Sequence, residues 1–138
     1  MNYTRIAIAG LGGTFAYFAL GFLLLAVLPF ADEIQKYSAV YRPPETMNSV
    51  APVGMVGLLV GMMALAALYA LTYHDGSALS QGLRFGLLVG VFSSGSFLLH
   101  NYVSLNISLK LALLQAFAQF VQWVGASVAI ALIYRPKL

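Results

Sequence analysis

Four apolar runs, none holding an Asp, Glu, Lys or Arg, constrain this chain more than anything else in it. They cover residues 6–30, 50–73, 86–105 and 111–134, which is 25, 24, 20 and 24 residues. A helix needs about 20 apolar residues to cross roughly 30 Å of hydrocarbon, so each run is long enough. Backbone groups in hydrocarbon have no water to bond, which restricts spanning segments to helices and closed barrels. None of the runs alternates with period two, so they read as helices. Only 8% of the residues are charged, against about 25% in soluble domains. The expected fold is all-α, an integral-membrane four-helix bundle with short loops. It forms a single transmembrane domain over residues 1–138, with helices at about 6–30, 50–73, 77–105 and 109–134 and one longer loop at 31–49.

The first run is too long for the roughly 7–15-residue core of a signal peptide, and no small-x-small cleavage site follows it; it is expected to be retained. The 31–49 segment holds three of the four acids, with Lys36, Arg42 and the Pro43-Pro44 pair. It is expected to be a solvated loop, or a partner-docking loop acting through Tyr37, Tyr41 and the prolines. The proline pair should bar a helix there. Asn48 or Ser49 would then cap the second span, with Pro52 tolerated in its first turn. His74-Asp75-Gly76 reads as a turn, and Ser77 as the cap of the third helix. Asn106-x-Ser108 has the form of a glycosylation sequon but lies too close to two membrane helices to accept a sugar.

An even number of spans puts both termini on one side, with Arg5, Arg84, Arg135 and Lys137. The other side has Lys36, Arg42 and Lys110. Four basic residues against three favour cytoplasmic termini, in a bacterial inner (cytoplasmic) membrane. Tyr3, Tyr73 and Tyr134 at one end, and Tyr37, Tyr41 and Tyr102 at the other, suit interfacial belts.

Helices associate in lipid through small residues and polar side chains. Gly82, Gly86 and Gly90 recur at steps of four along the third span; Gly57 and Gly61 mark the second, and Gly10, Gly12 and Gly13 the first. On the fourth span, Ala112, Gln115, Ala118, Gln119, Gln122, Ala126 and Ala129 share one face, expected to face protein. Leu113, Phe117, Phe120, Val121, Val124 and Val128 share the other, expected to face lipid, and Ala131 falls on that bulky side. A tight hairpin centred near residue 107 or 108 would pair His100 with Gln115, Ser96 with Gln119 and Ser93 with Gln122. Together with Asn101 they would form a polar seam between the third and fourth spans. Trp123, in mid-span, should turn inward or sideways into a neighbouring helix, because its indole N–H needs a partner.

Little else in the sequence suggests chemistry. No cysteine is present. No span holds an acid, and no zinc-protease, serine-hydrolase or phosphate-loop motif occurs. No catalytic residue is expected, and scattered basic residues make no nucleic-acid surface. His100 is the one ionisable side chain, tyrosines aside, well inside a span, and such a residue is a functional candidate by default. Three expectations follow. The first is a non-enzymatic accessory subunit, packing as a homo-oligomer or within a larger membrane complex and contacting the lipid bilayer. The second is a carrier or channel for a small solute or lipid-like ligand, lined by His100, Gln115, Gln119 and Gln122. The third is a pigment- or haem-binding subunit using His100. No metal or cofactor is expected unless His100 ligates a tetrapyrrole. His74 is 26 residues from His100, about 20 Å or more along the helices, too far to share one iron.

Overall fold

A computed structural model describes residues 2–135, and all side chains among them but those of Leu98 and Leu99. Lys137, counted above for orientation, lies outside the described residues. The helices in chain order are α1 (Tyr3–Val27), α2 (Phe30–Gln35), α3 (Pro44–Thr72), α4 (Ala78–Ser104) and α5 (Leu109–Ile133). There is no strand among the described residues. All but the short α2 are long and apolar enough to cross a membrane, so the protein is an α-helical membrane protein.

Helix starts follow local chemistry. Side-chain oxygens of Asn2, Ser77 and Ser108 accept N–H groups from the first turns of α1, α4 and α5, satisfying donors that have no partner within the helix. The turn from α3 into α4 needs glycine, because Gly76 sits at φ +145°, where a Cβ is disfavoured. Gln81 closes that turn, accepting the His74 N–H at 3.2 Å and donating to the His74 carbonyl at 2.5 Å.

The proline pair behaves differently from expectation. It starts a helix rather than preventing one, and α3 begins at Pro44, ahead of Asn48 and Ser49. Proline suits a first helical position, where its N–H is not needed and its φ is already set. Pro52 consequently lies inside α3, leaving the Asn48 carbonyl without its usual helical donor. The 31–49 segment also holds most of α2 and the first residues of α3.

The bundle is built around α5. Helix α4 packs along one side of it and α1 along another, while α3 rests mainly on α1. At the end carrying the termini the packing is closed: Ile6, Ala9, Met62, Ala66, Tyr69, Ile130, Ala131 and Tyr134 form one buried cluster. Tyr134, expected in an interfacial belt, is only 2% exposed. Its ring meets Tyr69 and Tyr73 edge-on at 6.2 and 5.8 Å, an arrangement favoured by the ring quadrupoles.

Having two neighbours, α5 departs from its expected two-faced pattern. Leu113 and Phe117 stay 53% exposed, but Phe120, Val124 and Val128 lie against Gly90, Gly86 and Gly82 of α4. Ala131, placed on the bulky side by periodicity, is fully buried, because it meets α4 at Gly82. The small and polar face turns instead mostly toward α1, with Ala126 near Gly13 and Gln122 near Gly21.

Candidate functional site

Polar side chains of α5 gather at the end opposite the termini. Gln115, Gln119 and Gln122 fall on one face because they recur at steps of four and three. With Asn101 and Ser94 of α4, Tyr17 of α1 and Phe30 of α2, they line a half-open cavity of about 340 Å³. No charged side chain lines it.

Each glutamine is anchored by one half of its amide. Gln115 Nε2 donates to the Tyr41 hydroxyl at 2.8 Å. Gln119 Oε1 accepts from Ser93 Oγ at 3.2 Å. Gln122 Nε2 donates to the Tyr17 carbonyl at 3.2 Å. Ser94 Oγ, meanwhile, donates to the Ala116 carbonyl at 3.1 Å. The opposite halves, Gln115 Oε1, Gln119 Nε2 and Gln122 Oε1, make no hydrogen bond to the protein among the described residues. An amide has both donors and acceptors, so the cavity offers both.

The expected seam is therefore only partly recognisable. Ser93 meets Gln119 rather than Gln122, a slip of nearly one turn. With α4 ending at Ser104 and α5 beginning at Leu109, the hairpin is centred earlier than 107–108. The His100–Gln115 pair does not form: Gln115 is held by Tyr41, and His100 is exposed on α4. Ser96 does not reach Gln119; it lines an apolar groove between α3 and α4 with Trp123 and Gly61. Trp123 does turn to a neighbouring helix, its ring meeting Tyr17 at 5.2 Å, but its indole N–H is buried without a partner. Gly82, Gly86 and Gly90 bring α4 close to α5, whereas Gly57 and Gly61 face open space, with nothing among the described residues within 4 Å of a Cβ placed there.

The sequence reading missed the contribution of the 31–49 segment. Glu33, 4% exposed, is bonded by Lys110 Nζ at 2.6 Å and Lys36 Nζ at 2.9 Å. The Lys110 hydrogen bond, then that of Lys36, holds the Glu33 carboxyl below its ordinary 4.5, and Glu33 in turn raises Lys36 above 10.5. The Tyr37 hydroxyl accepts the Ser108 N–H at 3.0 Å. Tyr37 and Tyr41 thus dock on their own chain, at the head of α5. Their i, i+4 spacing between two apolar runs was the available signal, though it did not identify the receiving surface. Together with Phe30, these contacts make the segment a strap across one end of the cavity.

Among the described residues, no three His, Asp or Glu side chains come together in a way that could hold a metal ion. The fold and cavity define a small polytopic helical membrane protein with an uncharged polar recess between its helices. The chain matches DUF1761, described as a protein of unknown function, over residues 8–131, and it belongs to that family. No curated protein and no solved structure matches it.

Proposed function

We propose that this is a non-enzymatic membrane protein that binds a small, uncharged, hydrogen-bonding ligand in the recess between α1, α4 and α5. The observation that carries this reading is the line of three half-anchored glutamines in a cavity of about 340 Å³. Ligand sites are commonly about 300–1,000 Å³, with a few polar groups placed among apolar walls. Amide groups at membrane depth that lack protein partners are expensive to leave unbonded, and a polar ligand satisfies them. The reading keeps the carrier expectation but replaces His100, which does not line the cavity, with Asn101, Ser94 and Tyr17.

The test is a Gln115→Leu/Gln119→Leu/Gln122→Leu variant, purified gently and extracted with organic solvent beside the wild type. A neutral compound co-purifying with the wild type and absent from a folded variant supports the reading. Identical extracts from the two folded proteins overturn it.

A second reading, an accessory subunit that packs with a partner helix, is favoured by the first half of α3. No residue of 44–61 is buried, and Gly54, Gly57 and Gly61 all face open space. A location in the bacterial inner membrane with cytoplasmic termini belongs with either reading and rests on the basic-residue bias alone.

A further inference from the structure

We propose that the polar recess and the apolar groove between α3 and α4 are the head and tail halves of one site, for a single-chain amphiphile with an uncharged, hydroxyl-bearing head. This rests on the ligand-binding reading above and extends it to the class of ligand.

The groove has a volume of about 450 Å³, and its walls include Leu65 and Leu68 of α3 and Val89 and Phe92 of α4. It is not a separate feature of the surface, because Phe97 lines both spaces. The boundary between them is one layer of side chains thick. Ser93, on the groove side, bonds directly to Gln119, on the recess side, at 3.2 Å. Trp123 on the groove side touches Tyr17 on the recess side, with ring centroids 5.2 Å apart. Phe97 is 60% exposed, so its ring, which borders both spaces, is not locked in a packed core.

The polar groups grade along this path. The recess presents the free amide oxygens of Gln115 and Gln122 and the side chain of Asn101, which suit hydroxyl groups. At the boundary, the Trp123 indole N–H is a buried donor without an acceptor, and the free Gln119 amide N–H is on the same helix one turn away. The Gln119 donor at the junction of head and tail suits an ester or amide carbonyl. Beyond them the groove is almost wholly apolar. A charged head is disfavoured, because no charged side chain lines the recess and Lys110, near the strap, is held by Glu33 at 2.6 Å. A monoacylglycerol has the required sequence of hydroxyls, ester carbonyl and chain.

The experiment uses the full chain in phosphatidylcholine nanodiscs with a monoacylglycerol bearing a mid-chain diazirine. Photolysis and peptide mapping locate the tail. Expected are adducts on groove residues such as Leu68 and Phe92, displaced by unlabelled monoacylglycerol but not by the corresponding fatty-acid methyl ester, which lacks the hydroxyls. Adducts should fall about tenfold, equivalent to about 1.4 kcal/mol, in folded Gln119→Leu/Gln122→Leu protein. If that variant does not fold, Asn101→Leu, outside the anchoring bonds, must lower them severalfold. Adducts spread over lipid-facing residues such as Leu88 and Phe117, with no displacement, make the groove ordinary lipid contact and overturn the proposal. A four-carbon monoacylglycerol separates the two levels, read through the fluorescence of Trp123, the single tryptophan. If it binds in a glutamine-dependent way while long-chain adducts miss the groove, the recess is a ligand site and the head-and-tail proposal fails. If neither compound binds, both fail.

Discussion

Two glycine stripes of similar spacing have opposite fates in this protein. Gly82, Gly86 and Gly90 of α4 lie so close to α5 that a Cβ at Gly86 would stand 3.0 Å from the Val124 backbone. Gly54, Gly57 and Gly61 of α3 would meet nothing within 4 Å. Small residues permit close approach of helices in lipid but do not supply the neighbour. The α4 stripe has one because a short connection folds α5 back onto it. The α3 stripe lies ahead of the part of α3 that is buried, which begins at Met62. The α4 stripe is therefore closed by α5, whereas nothing among the described residues lies against the α3 stripe.

The largest expected effect is on the closed stripe. Gly86→Leu forces atoms against backbone that cannot move without parting α4 from α5, so it should cost about 3 kcal/mol or more, the upper range for overpacking. Reversible unfolding in mixed micelles measures this. Gly57→Leu in the same assay should stay within about 0.5 kcal/mol, as surface changes do. A large loss at Gly57 would break the comparison, because it would mean that the open stripe is occupied by another helix. Concentration-dependent stability lost in Gly57→Leu would identify that helix as belonging to a second copy.

The fold was legible because it depends on quantities that a sequence carries directly: run length, absence of charge, and caps such as Ser77. The face of α5 was legible only in part. Periodicity shows which side chains share a side, and it separated Gln115 from Leu113. It does not show that α5 has two neighbours, so Val124 and Val128 were assigned to lipid. The recess was half visible, as a row of glutamines. Their partners were not, because Tyr41 and Tyr17 are 74 and 105 residues away from theirs, and only tertiary packing brings them together. His100 misled for a related reason: its pairing rested on a hairpin register that is off by less than a turn, and it stands exposed while Tyr41 holds Gln115.

A smaller effect should separate the two ends by pH. Glu33 titrates below its ordinary 4.5 because Lys110 and Lys36 bond its charged form. The carboxylate's contribution to holding the strap is thus present above about pH 4.5 and lost as pH falls through the lowered value. For Lys36, raised above 10.5 by Glu33, the contribution is complete below 10.5 and lost as pH rises through the raised value. Hydrogen exchange of the Ser108 amide, which Tyr37 covers, should quicken in acid, relative to the intrinsic rate. Amides in the last turns of α5, at the closed end, should not respond. Glu33→Gln should show the acid behaviour at neutral pH. Equal loosening at both ends would mean that the strap and the closed cluster open as one unit.

The smallest effect is expected where the two halves meet. Trp123→Phe keeps an aromatic ring beside Tyr17 and removes an N–H that is buried without a partner. Leaving a buried donor unbonded costs about 1–3 kcal/mol, while trading indole for a smaller ring loses packing of similar size. The two terms oppose each other, so lipid-stripped protein should change by less than about 1 kcal/mol in thermal unfolding. The sign should differ in protein purified with its lipids, where an acceptor on a bound ligand would make the indole N–H favourable and its removal destabilising. A loss confined to the lipid-loaded protein assigns the donor to a ligand. An equal loss in both preparations assigns it to the protein's own packing, and the open end would then have no unfilled donor at its boundary.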